Sequence, residues 1–131
     1  MEDSGKYRYT IDEKTGLVHE VLSGNVTMTT FAMMIQEMFQ DPDFRYARHF
    51  LCDYTGIESI ELGEDEEASI ADNVQQLETT MPGVKLAFVV SQHQMAWEVI
   101  GRFFERMKGT GVSCQVFSTV NSAMAWLGVD S

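Results

Sequence analysis

Leu86-Ala87-Phe88-Val89-Val90 is an unbroken apolar run of strand length. A strand with one wet face alternates apolar and polar side chains, because successive side chains point to opposite sides. A run without alternation needs cover on both faces, which is the position of a central strand in a parallel sheet blanketed by helices. The flanks agree with this. Pro82-Gly83 ends the segment before the run, and Ser91 is suited to cap a helix after it.

The rest of the chain builds around that strand. Tyr7, Tyr9 and Ile11 alternate with Arg8 and Thr10, a half-buried strand. Asp12-Glu13-Lys14-Thr15-Gly16 is a turn, with glycine free to take positive φ. A second strand follows from Leu17 to Ser23. Leu17, His19 and Val21 share one of its faces, and Val18, Glu20 and Leu22 share the other. Gly24-Asn25 is read as its end. Phe31, Met34, Ile35, Met38 and Phe39 form a helical stripe, with Thr27 or Thr29 as the cap and Asp41-Pro42 as the stop. A third strand is expected over His49 to Asp53, then a loop through Gly56. Glu64 to Glu67 would fill the first turn of a second helix, where the macrodipole favours negative charge. Ile70, Val74, Leu77 and Met81 mark its buried side. A third helix is expected over Gln92 to Lys108, a fifth strand over Ser113 to Phe117, and a last helix with Val120, Ala123, Met124 and Leu127, closed by Gly128. The order ββαβαβαβα predicts an α/β fold. It has a mixed five-stranded sheet, an N-terminal antiparallel hairpin with the remainder mostly parallel, and four helices, all in one domain over residues 1–131.

Charge narrows the functional classes. Nine Lys and Arg face 20 Asp and Glu, a formal charge of -11. Phosphate contacts need surplus cation, so neither a nucleic acid nor an anionic membrane is the expected partner. Two cysteines do not make a disulfide framework and fit a reducing, cytoplasmic setting. No apolar run reaches membrane-spanning length, and the polar start, Met1 to Gly5, is not read as a signal peptide.

The element order and several local segments resemble the SpoIIAA-like branch of the STAS/CRAL-TRIO-like superfamily of small bacterial proteins. The matching pieces are Val21-Leu22-Ser23-Gly24, Phe50-Leu51-Cys52-Asp53-Tyr54 with Gly56 after it, Leu86 to Ser91, and Val116-Phe117 followed by Ala123-Met124-Ala125-Trp126-Leu127. They span about residues 7 to 127. The resemblance implies a non-enzymatic regulatory or ligand-binding module. Its best-known members are anti-sigma-factor antagonists, switched by phosphorylation of a serine in an Asp-Ser-Ser-Gly motif just past strand three. Here the comparable stretch reads Ser59-Ile60-Glu61-Leu62-Gly63-Glu64, with no serine next to the helix start. Neighbouring carboxylates would repel a phosphate there, so no phosphorylation site is carried over. Other members of the superfamily bind hydrophobic or lipid-like ligands.

Chemical motifs are sparse. His19, His49 and His93 lack the short spacing of metal ligands, although His93 and Asp53 would sit at the ends of neighbouring strands. Cys52 and Cys114 lie within strands without a local cation to activate them, as small core hydrophobes do. Gly109-Thr110-Gly111 follows a helix and is a turn, not a phosphate loop. No catalytic residue, metal or cofactor is therefore assigned. The acidic segment Glu58 to Glu67 reads as a solvated face, or as a patch that steers a basic partner. The third helix has two apolar sides. Ala96, Val99, Ile100, Phe103 and Met107 should face the sheet, whereas Trp97, Gly101 and Phe104 form a second ridge. That ridge suits a broad core, a subunit interface or a pocket wall. Nine methionines add adaptable apolar surface, as core filler or as a permissive binding wall. Open parallel sheets bind ligands beyond the carboxyl ends of their strands. The candidates for ligand binding or an interface are thus Asp53, Tyr54, Ser91, His93, Trp97 and Phe104. The expected function is a non-catalytic ligand-binding or regulatory module of the SpoIIAA-like type, whose ligand would be a hydrophobic or lipid-like small molecule. The alternatives are a protein-interaction module acting as a homodimer or as an anti-sigma-antagonist-like partner binder, and a small enzyme.

Overall fold

The structure, a computed structural model, describes residues 5–91 and 94–129. Strand β1 (Lys6–Ile11) pairs antiparallel with β2 (Leu17–Thr27). The turn between them is held by Asp12, whose Oδ1 accepts from the backbone N–H groups of Lys14 at 2.8 Å and Thr15 at 3.2 Å. Gly16 completes it at φ +74°. Strands β3 (His49–Glu61), β4 (Lys85–Val89) and β5 (Ser113–Phe117) continue the sheet in parallel, in the spatial order β1-β2-β3-β4-β5. The apolar run is therefore inside the sheet: Leu86 to Val89 pair with β3 on one side and β5 on the other, and all are buried.

The helices are α1 (Met28–Gln40), α2 (Glu64–Thr80), α3 (Gln94–Met107) and α4 (Val120–Leu127), with a short 3-10 helix over Pro42–Tyr46. Their starts use local side chains. The Thr27 N–H donates to Thr30 Oγ1 at 3.3 Å, the Gly63 N–H to Glu66 Oε1 at 2.8 Å, and the Ser122 N–H to Thr119 Oγ1 at 3.1 Å. Glu64, Asp65, Glu66 and Glu67 occupy the first turn of α2 as expected. The layers are unequal. Residues of α1, α2 and α3 pack against Val18, Leu22, Phe50, Cys52, Tyr54, Leu86 and Phe88. On the other face α4 alone packs Ala123 and Leu127 against Leu17, Leu51, Ala87 and Val89. The α/β class, the antiparallel hairpin, the parallel remainder and the four helices all agree with the sequence reading.

Two strands run further than expected. β2 continues through Gly24-Asn25 to Thr27, and β3 continues past Asp53 and Gly56 to Glu61. They extend together, with Gly24 opposite Ile57 and Val26 opposite Ile60, after register shifts at Val21/Ser23 and Gly24/Asn25. These glycines mark irregularities within a paired ribbon instead of its end. Burial of Val26, Ile57 and Ile60 explains why pairing persists. Among the described residues, no helix is long and apolar enough to cross a membrane.

Candidate functional site

Between the sheet and the three-helix layer lies a cavity of about 110 Å³. Phe31, Met34 and Met38 of α1, Val74 and Leu77 of α2, and Ile100 and Phe103 of α3 supply walls, over a floor that includes Phe50 and Phe88. Phe39 also lines it and is 49% exposed, so the cavity reaches the surface there. Phe88 anchors an aromatic cluster, with ring centroids 5.5 Å from Tyr54, 5.8 Å from Phe103 and 5.7 Å from Phe104.

One charged side chain comes from the sheet into this apolar space. Glu20 stands between Val18 and Leu22 on the face of β2 that the helices cover, and is only 8% exposed. The register sets Cys52 beside it on β3 and Tyr9 beside it on β1. The Cys52 thiol and the Tyr54 hydroxyl are the donors that favour the charged form of its carboxyl group. Burial pushes the Glu20 carboxyl up from its ordinary 4.5 to about 7, against the pull of those two donors. Burial, reinforced by the Glu20 charge, holds the Cys52 thiol well above its usual range. Tyr54 is raised likewise, first by burial and then by Cys52 and Glu20. Among the described residues of the lining there is no Lys, Arg or His to balance Glu20. Glu67, the other lining carboxylate, is held below its usual range by two 2.8 Å hydrogen bonds from the Arg102 guanidinium.

The six sequence candidates do not converge. Tyr54 lines the cavity. Asp53, its neighbour, points to the opposite side of the strand by alternation. Its Oδ1 accepts from the Thr55 N–H at 3.1 Å and the Thr55 hydroxyl at 2.7 Å. Ser91 is exposed just past β4, and His93 lies outside the described residues. Trp97 is 45% exposed, whereas Phe104 is half-buried against Phe88. The ridge on α3 is thus divided between solvent and core. A Cβ built at Gly101 meets nothing within 4 Å, so no close approach within the chain explains that glycine.

The remaining motifs have local roles. His49 Nδ1 accepts from the Lys85 N–H at 3.1 Å, and burial followed by the charges of Lys85 and Arg48 lowers its pKa. Burial raises the Cys114 thiol to about 12. Ser59 lies within β3 and donates to Asn25 Oδ1 at 2.7 Å. Among the described residues, no three His, Cys, Asp or Glu side chains gather in a way that could hold a metal ion. Sequence reasoning placed Glu20 on the right face but gave it no role. The signal was present: a carboxylate between two inward valine and leucine side chains is costly unless something answers it.

This sheet, with three helices before it and one behind, is a SpoIIAA-like fold. The chain is similar to the crystal structure of an uncharacterized protein from the DUF3478 family with a SpoIIAA-like fold from Shewanella loihica PV-4. That likeness has a TM-score of 0.65 at 12% identity, over 97% of this chain and 98% of that one. It is also similar to an anti-sigma factor antagonist from Mycobacterium paratuberculosis, with a TM-score of 0.58 at 13% identity, over 94% and 95% of the two chains. No protein-family model matches the chain, and no curated protein matches it in sequence.

Proposed function

We propose that this chain is a non-catalytic, cytoplasmic regulatory module that binds a small hydrophobic molecule in the cavity beneath α1, α2 and α3. The observation that carries this reading is an apolar cavity reaching the surface at Phe39, with a single sheet carboxyl, Glu20, in its lining. Apolar walls with a few convergent polar groups are the usual make-up of a ligand site. The raised Cys52 thiol speaks against a nucleophile, because the thiolate is the reactive form. The fold likeness to an anti-sigma factor antagonist supports a regulatory role. Native mass spectrometry of freshly purified protein, with calorimetric titration of the neutral one-ring probe toluene, tests the proposal. Retained mass or toluene binding is expected, with toluene binding lost in Val74→Phe while the circular dichroism spectrum is kept. No retained mass and no toluene binding by the parent protein would overturn it.

A second reading rests on Trp97, exposed on α3 beside open space at Gly101. It makes this face the contact between two copies of the chain. Sedimentation should then show a concentration-dependent dimer weakened by Trp97→Asp. A monomer at every concentration sinks this reading.

A further inference from the structure

We infer that the molecule bound in this cavity is a hydrophobic primary amine, whose ammonium group pairs with the Glu20 carboxylate while its apolar part fills the space between the helices and the sheet. The inference rests on the ligand-binding reading above and names the head group that reading leaves open. An ionised carboxylate has about four acceptor positions. Cys52 and Tyr54 supply one donor each, which leaves acceptor capacity. Among the described residues the lining supplies no cation. A buried carboxylate is strongly disfavoured without a partner of opposite charge. An ammonium group provides both the donors and the charge.

The other head groups fit less well. A carboxylate ligand would set a second negative charge against Glu20, forcing the pair to hold a proton between them. An alcohol supplies a donor but leaves the charge unbalanced. The charge around the cavity points the same way. Leu62 and Glu67 line it at the end where the acidic turn Glu64 to Glu67 begins, and the whole chain carries -11. Such a field draws a small cation and repels an anion. Size limits the apolar part. A cavity of about 110 Å³ holds one aromatic ring or a chain of about six carbons.

The pairing also couples binding to a proton. The groups around Glu20 are Tyr9 on β1 and Cys52 and Tyr54 on β3, with Glu67 of α2 in the same lining and its charge held by Arg102 of α3. α1 adds apolar side chains only, among them Phe31, Met34 and Met38. Below neutrality the empty site holds Glu20 mostly protonated, and an arriving ammonium displaces that proton.

Calorimetric titration of hexylamine, hexan-1-ol and hexanoate into the full chain, at pH 6 and pH 8, tests this directly. Hexylamine should bind tightest of the three. Glu20→Gln should weaken it about tenfold or more while changing hexan-1-ol by less than about threefold. Titrations of the parent protein at pH 6, in buffers of different ionisation enthalpy, should report release of about one proton per amine bound. That measurement needs no variant, so it stands even where Glu20→Gln fails to fold. Equal or tighter binding of the alcohol or the acid, unchanged amine affinity in Glu20→Gln, or no proton release each overturns the amine assignment and leaves the cavity reading intact. If none of the three binds and the neutral one-ring probe toluene also fails, the cavity reading itself falls.

Discussion

Glu20 titrates near 4.5 in an unfolded chain and near 7 in the folded one. Between those values the native state keeps a proton that the unfolded state has lost. Its contribution to stability is therefore fully present below pH 4.5 and is lost as pH rises through 7. The shift corresponds to about 3 kcal/mol. Urea unfolding at pH 5 and pH 8 should show the parent losing stability across that interval and Glu20→Gln losing much less, with the variant the more stable of the two at pH 8. A parent as stable at pH 8 as at pH 5, once the variant's own change is subtracted, contradicts this account of Glu20. The neighbouring thiol gives a second readout. Cys52 is buried and strongly protonated, so alkylation by iodoacetamide should wait for unfolding. Rapid modification of Cys52 in the native protein would contradict that.

At the scale of elements, turns and inter-helix pairs contribute unequally. Gly16 sits at φ +74°, and a Cβ there would lie 2.6 Å from Arg48 Cγ and 2.8 Å from the Tyr46 carbonyl oxygen. The β1–β2 turn therefore presses on the chain entering β3. Gly16→Ala should cost about 1–3 kcal/mol in equilibrium unfolding. The Arg102–Glu67 pair joins α3 to α2 at 2.8 Å, but the arginine side chain is half exposed. The Glu67 side chain is only 10% exposed, yet water at the arginine end screens the pair, so Arg102→Ala should cost about 1 kcal/mol. A reversal of that ranking would mean that the two helices are held by charge and not by their apolar sides. The Tyr7 hydroxyl donates to Glu37 at 2.7 Å and the Tyr9 hydroxyl to Asp41 at 2.9 Å, which ties α1 to the edge strand beside the cavity.

Across the whole molecule, 20 acidic residues oppose nine basic ones, and only two ion pairs occur among the described residues, Arg102–Glu67 and Lys108–Glu105. Net repulsion should outweigh specific attraction. Added sodium chloride screens both, so thermal unfolding should move to higher temperature as salt increases. A falling midpoint would mean that the two pairs dominate. The unequal layering matters for the same reason of scale. Three helices meeting over one sheet face leave a space that no single element encloses, whereas α4 alone seals against the other face.

Much of the architecture was legible because periodicity is a local property. The alternation in β1, the stripe of α1 and the unbroken run of β4 each announce their faces within a few residues. The lengths of β2 and β3 were not legible, because Gly24 and Gly56 look like endings until each strand has the other to pair with. The site was the least legible part. Asp53 and Tyr54 are neighbours in sequence yet point to opposite sides of the sheet, while Glu20 and Cys52, on different strands, lie side by side. The chain by itself determined which side chains turn inward on each element, since that follows from repeat and hydropathy. Only the tertiary structure decided which of them meet, because strand register and the gap between three packed helices are set by contacts between segments distant in sequence.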